Sequence, residues 1–195
     1  AQNLKKLFDE VEMPLIKILA DIEYTGFRVD LEQIDQIDVQ LVEKIKEIET
    51  TIFGMAEETF NINSPKQLGV ILFEKLSLPS GKKTKTGYST GIDVLEKLID
   101  KHPIVREIIE YRMYTKLKST YIDGLRLVID PNEPRVHTSL NQTIAVTGRL
   151  SSTEPNLQNI PIKLPYGRKI RKFFVADPGC VLLDADYSQI GRAHV

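Results

Sequence analysis

Between Asp30 and Met55 the apolar residues Ile34, Ile37, Leu41, Ile45, Ile48, Ile52 and Met55 recur in steps of three and four. Such spacing brings side chains onto one face in an α-helix and not in a strand. The start is marked too, with Asp30 as N-cap and Gln33 at N3, a pattern that resembles a capping box. The stripe resembles a coiled-coil seam, which needs a second apolar helix along it. A long antiparallel helical arm is therefore expected, with its stripe packed inside the hairpin. Asp38, Glu43, Lys44, Lys46 and Glu47 form its solvated faces.

Other signals fill in the plan. Leu4, Leu7, Phe8, Val11, Leu15, Ile18, Leu19 and Ile22 make an earlier helical stripe, with Pro14 as a break or kink and Gly26 as the stop. Ser64, Pro65 and Gln67 suit the N-cap, N1 and N3 of another helix reaching about Leu76, with Leu68, Ile71, Leu72 and Leu76 on its stripe. A Gly/Lys/Thr/Ser loop then runs to Thr90, with Tyr88 its one apolar residue. A third helix is expected from about Gly91 to Asp100, and a fourth from Pro103 to Ile122 or beyond, with His102 at its start. After the turn cluster Asp130–Pro134, the alternation of Val136–Val146 predicts a strand, with His137 in a hydrogen-bonding structural role. Thr147 to about Gly167 reads as irregular, and Ile170–Val175 and Cys180–Asp186 as further strands. The fold class is α+β.

Of the 195 residues, 42% are hydrophobic and 27% charged, ordinary globular values that exclude disorder and fibrous repeats. No stretch approaches the roughly 18 apolar residues of a membrane span. The lone Cys180 has no partner for a bridge and is expected as a reduced, non-catalytic core or strand residue. The net charge of −1 conceals two unlike parts: residues 1–60 sum to −8 and residues 61–195 to +7. Three stretches carry bases and no acid: Gly81–Thr90 (Lys82, Lys83, Lys85), Arg112–Tyr121 (Arg112, Lys116, Lys118) and Pro155–Ala176 (Lys163, Arg168, Lys169, Arg171, Lys172). Each alone reads as a solvated face. Together, interleaved with Ser, Thr, Gly and Asn, they suit phosphate binding, because local potential governs attraction of a polyanion. At 100° per residue Lys116 shares a helix face with Arg112, Ser119 and Thr120 whereas Lys118 points away, so Lys116 is the better phosphate contact. Arg168, Lys169, Arg171 and Lys172 cannot all face one ligand.

Cys180–Tyr187 is an apolar run ending in carboxylates. On a strand Asp184 and Asp186 face the same side, which suits either a hard cation such as Mg²⁺ or an ordinary polar strand end. Asp186-Tyr187-Ser188-Gln189-Ile190 resembles motif A of the family A DNA polymerases. Thr147–Ser152 and Pro155–Pro161 resemble the segments just upstream of that motif, and Lys116–Tyr121 and Asn61–Ser64 resemble the family's thumb. The resemblance covers about residues 4–190.

It implies a leading helix and connection over residues 1–28, a helical thumb over 29–125 and the first part of an antiparallel palm over 126–190. It also implies that Asp186 is a catalytic Mg²⁺ ligand, with the backbone carbonyl of Tyr187 as a second. Arg149, Asn156 and Gln158 are implied at the minor groove of a primer–template duplex, where acceptors common to every base pair permit geometry checking. Asn61, Asn63, Ser64, Lys85, Ser89 and Thr90 would approach backbone phosphates, joined by Arg112, Lys116, Ser119 and Thr120. The implied partners are primer–template DNA and, for the parent enzyme, a dNTP, with no membrane and no obligate protein partner, in the bacterial cytoplasm. A duplex-binding module without catalysis and a helical protein-interaction domain are the alternatives. After Ile190 the pattern breaks: Gly191–Val195 stands where the family has Glu-Leu-Arg, and is expected to be a foreign tail. With one such Asp, this chain alone is expected not to polymerise, since two-metal chemistry needs further ligands.

Overall fold

A computed structural model describes residues 4–79, 87–130, 132–161 and 165–185. They fall into two compact units, one drawn from residues 34–127 and the other from 1–33 and 128–195.

The 34–127 unit is helical. Its long element α3 (Leu31–Ala56) starts as its sequence demands: the Gln33 amide donates to Asp30 Oδ1 at 3.1 Å and Gln33 Nε2 to Oδ2 at 2.7 Å. Ile34, Ile37, Leu41, Ile48 and Ile52 of the stripe are buried, with Ile45 and Met55 half-buried. There follow α4 (Pro65–Gly69), a π-helical turn (Val70–Lys75), α5 (Ile92–Leu98), α6 (Pro103–Leu117), a second such turn (Lys118–Asp123) and α7 (Gly124–Arg126). His102 caps α6, its Nδ1 accepting from the Ile104 amide at 3.2 Å. The arm is antiparallel: Asp38 pairs with Lys118 and Arg126, Lys44 neighbours Tyr114 and Glu110, and Glu49 neighbours Tyr111, so numbers rise along α3 as they fall along α6. Leu41, Ile52, Leu68, Leu72, Ile104 and Ile108 are wholly shielded from solvent.

Among its described residues the other unit holds α1 (Lys5–Leu7), a π-helical turn (Phe8–Glu12), α2 (Met13–Thr25), four short strands and α8 (Pro165–Arg171). Pro14 does not end the leading helix. The widened turn before it, closed by the Met13 amide on Phe8 O, passes the chain into α2 with Pro14 in its first turn, where no N–H is needed. The helix stops at Gly26, whose φ of +64° favours glycine. Strand β1 (Phe27–Arg28) pairs antiparallel with β2 (Arg135–Val136), and β3 (Ser139–Asn141) with β4 (Ser151–Thr153). Val29, Val136, Ile160, Ile170 and Phe173 are buried between these elements.

The strand and loop plan expected from the sequence fails at four stretches of this unit. The strand expected over Val136–Val146 is two short strands in different sheets, and Ile144 and Val146 are exposed. The chain changes sheets at His137–Thr138 because the Thr138 hydroxyl is drawn 2.7 Å from Ser152 Oγ and 2.8 Å from Pro155 O. Ile170–Val175 is the end of α8 and a turn, with a single bridge at Phe174 to Val29. Pro165 presets the helix, and Gly167, Ile170 and Phe173 give it a buried side. The stretch 147–167, expected to be irregular, contains β4 and the start of α8. Residues 180–185 form no strand, having no partner edge among the described residues, and Cys180 is exposed and free. The apolar stripe of the leading helix also remains outside the core: only Leu19 is buried, whereas Leu4, Leu7, Phe8, Val11, Ile18 and Ile22 are exposed.

Candidate nucleic-acid interface

In the 34–127 unit the turn Asn61–Ser64 precedes α4. The Asn61 side chain accepts from the Asn63 amide at 2.9 Å, and Asn61 O accepts from the Ser64 amide at 2.9 Å. Ser64 is the N-cap, accepting from the Gln67 amide at 3.4 Å, and the Gln67 side chain reaches back to the Asn61 amide at 2.6 Å. Ile62 is buried between exposed Asn61 and Asn63, so the turn is fastened by its middle residue.

A second loop is built the same way. Tyr88 packs on Phe73, ring centroids 4.9 Å apart, and against Gly69, where a Cβ would stand 3.0 Å from that of Tyr88. Thr90 is 3% exposed and Ser89, between these two anchors, faces solvent. Lys85 lies outside the described residues, as do Lys82, Lys83 and Lys163.

One guanidinium joins the two loops. Arg112 Nη1 donates to Thr90 O, and Nη2 to Thr90 Oγ1 at 3.2 Å and to Ile62 O at 3.4 Å. Burial lowers the Arg112 pKa from its ordinary value. Tyr111 beside it is raised, chiefly by burial and then by Glu49, with Thr115 and Asn63 as opposing hydrogen-bond partners.

The two lysines of the next turn differ. Lys118 pairs with Asp123 at 2.6 Å and Asp38 at 3.3 Å, and its pKa is raised, first by the Asp123 hydrogen bond. Asp38 also pairs with Arg126, which reaches Asp35 at 2.6 Å. Burial opposes the charge on Asp38, but Arg126 and Lys118 outweigh it and hold its pKa below the ordinary value. Lys116, Ser119 and Thr120 are exposed, and Lys116 has no ion pair among the described residues.

In the other unit Gln158 spans its neighbourhood: Oε1 accepts from the Ser152 amide at 3.1 Å and Nε2 donates to Leu150 O at 3.0 Å. The Asn156 side chain accepts from the Gln158 amide at 3.0 Å. Beneath them the hydroxyls of Thr138 and Ser152 are buried, and Ser152 Oγ accepts from the Leu157 amide at 2.9 Å. Arg149, next to this framework, is exposed. His137 Nδ1 lies 2.8 Å from Glu23 O, a contact that assigns the proton to Nδ1. Lys169 stands 4.5 Å from the Tyr166 ring centroid. Asp186 and Tyr187 lie outside the described residues, and exposed Asp184 belongs to no metal-holding cluster among them. Reading the sequence missed Ile62 and Tyr88 as anchors and the Thr138–Ser152 pair. The signal for the first two was an apolar residue isolated in a polar loop.

The arrangement offers exposed neutral donors and the solvated Lys116 beside fixed loops, a surface suited to phosphate oxygens. The family model described as DNA polymerase family A matches residues 31–191. DNA polymerase I of Bacillus subtilis (strain 168) is 58% identical over 186 residues, 95% of this chain and 21% of that protein. The thermostable DNA polymerase I of Thermus caldophilus is 48% identical over 97% of this chain and 23% of its own length. The chain thus spans about a fifth of the length of these relatives. Among solved structures, the POL domain of Pol1 from M. smegmatis, in complex with DNA primer-template and dNTP, superposes with a TM-score of 0.80. It is 43% identical, over 89% of this chain and 31% of that one.

Proposed function

The chain belongs to DNA polymerase family A, and from that premise we propose that it is the duplex-holding part of a DNA-directed DNA polymerase, with residues 29–125 as thumb and 126–190 as the first part of the palm. The observation that carries this reading is the convergence of two polar loops, Asn61–Ser64 and Ser89–Thr90, on one arginine beside the exposed face of Lys116, Ser119 and Thr120. In this reading Lys116 meets a phosphate as a charge, while Asn61, Asn63, Ser64, Ser89, Ser119 and Thr120 orient the backbone through neutral hydrogen bonds. Lys85 is assigned the same role as Lys116. In the other unit Arg149, Asn156 and Gln158 meet the minor groove near the primer end, with Gln158 also bracing β4.

The parent enzyme would join a primer 3′-OH to the α-phosphate of a dNTP opposite a template base, in the cytoplasm. Asp186 and the Tyr187 carbonyl offer hard oxygen donors of the kind Mg²⁺ prefers. Bound there, the ion would lower the charge barrier to phosphoryl transfer. Supplying one such carboxylate, this chain by itself binds duplex without extending it.

A salt titration of a fluorescent primer–template duplex against the chain tests the reading. Affinity should fall steeply and log-linearly with salt, as counterion release requires. No binding at low salt would overturn it and favour a helical interaction domain. In the full-length enzyme Asp186→Ala should abolish nearly all incorporation and keep duplex binding.

A further inference from the structure

We propose that Arg112 is a positioning residue, whose guanidinium sets the loops Asn61–Ser64 and Ser89–Thr90 at the spacing the duplex backbone needs, and is not itself a phosphate contact. The proposal rests on the duplex-binding reading above. Both terminal nitrogens of Arg112 are taken up by protein acceptors, Thr90 O and Oγ1 from one loop and Ile62 O from the other. The side chain is half-buried, so little of its head is left for a polyanion. Its acceptors are the buried anchors of the loops, and the exposed residues Asn61, Asn63 and Ser89 stand directly beside them. Moving either anchor moves those groups. A planar fork can span two loops at fixed separation, which the single ammonium of a lysine cannot. Lys116, one turn further on, has the solvated head that a direct contact requires.

Arg112→Lys, Arg112→Met, Thr90→Val and Lys116→Met, each in the 195-residue chain, separate the two roles. Two quantities are read: primer–template affinity across a salt series, and amide exchange at Asn63 and Ser64 without DNA. Both Arg112 variants should weaken binding about tenfold at every salt concentration and leave the salt slope unchanged, because the displaced loop groups bind phosphate as neutral donors. Exchange at Asn63 and Ser64 should quicken about tenfold in the same variants. Thr90→Val, which removes only the hydroxyl acceptor, should give a weaker version of both effects, about threefold. It keeps the experiment decisive if Arg112→Met does not fold. Lys116→Met should instead reduce the slope by about 0.9 and leave exchange untouched.

Full binding by Arg112→Lys together with a reduced slope in Arg112→Met would overturn the proposal and make Arg112 an ordinary phosphate cation. Unchanged exchange in both Arg112 variants would overturn it too. If the parent chain binds no duplex while exchange still quickens, the proposal falls with the duplex reading, and the altered exchange identifies that cause.

Discussion

The two units spend their apolar residues differently. Of the 30 buried hydrophobic residues among those described, 23 lie in the 34–127 unit and 7 in the other. The second unit is fastened mainly by polar contacts: the Thr138–Ser152 hydroxyl pair, His137 on Glu23, Gln142 on Glu12 at 2.7 Å and Arg135 on both oxygens of Asp177 at 2.6 Å. Its leading helix keeps Leu7, Phe8, Val11 and Ile18 in solvent. The 26-residue α3 carries one continuous stripe to bury, whereas each strand of the second unit offers only two or three residues.

Substitutions in each unit test that contrast. The largest effect is expected for Leu72→Ala or Ile108→Ala, both wholly buried in the helical unit. Each should cost about 2–5 kcal/mol in denaturant unfolding, the usual range for such cavities. A loss below about 1 kcal/mol would mean that this core is not tightly packed. Next is Gly167→Ala, whose new Cβ would meet Pro161 O at 2.2 Å. Backbone on both sides must shift, so about 1–3 kcal/mol of local stability should go. Exchange should quicken in α8 and at the Ser152 amide, with α3 unaffected.

Asp38→Asn tests the ionic lock of the arm. Because Arg126 and Lys118 hold the folded-state pKa of Asp38 below its unfolded value, its contribution is complete above the ordinary carboxylate pKa of about 4 and is lost as pH falls below it. Asp38→Asn should therefore be less stable at neutral pH and show a shallower decline below about pH 4; an unaltered acid limb would remove Asp38 from that role. The smallest effect is expected for Leu183→Ser at an 89% exposed position. It should alter the thermal midpoint by the equivalent of at most about 0.5 kcal/mol. A larger loss would show that the second unit draws stability from its exposed apolar residues.

What could be read from the residues follows the same division. The Asp30 cap, the Ser64-Pro65-Gln67 start and the His102 cap are local rules, satisfied by neighbours within a turn, and the α3 stripe is a periodicity internal to one helix; all of these were legible. The end of α8 and the turn after it were not: Ile170-Arg171-Lys172-Phe173-Phe174-Val175 has strand-forming composition, and Pro165, the packing of Gly167 on Pro161 and the burial of Ile170 and Phe173 decide otherwise. The break at Thr138 was equally hidden, because its cause lies fourteen residues away at Ser152. At the candidate interface the exposed polar groups could be named from the resemblance. That Arg112 reaches across 22 residues to Thr90 and 50 to Ile62 could not.

The π-helical turn Lys118–Asp123 has a consequence for how the chain can vary in length. Such a turn holds one residue more than an α-turn over the same span, so it takes up an insertion without rotating the helix beyond it. Losing one residue there would tighten the turn and leave Arg126 aimed at Asp35 and Asp38. The same loss in the middle of α3 would swing every later side chain by about 100° and turn its stripe out of the core. Length variation in the arm should therefore gather at this turn and be purged from α3.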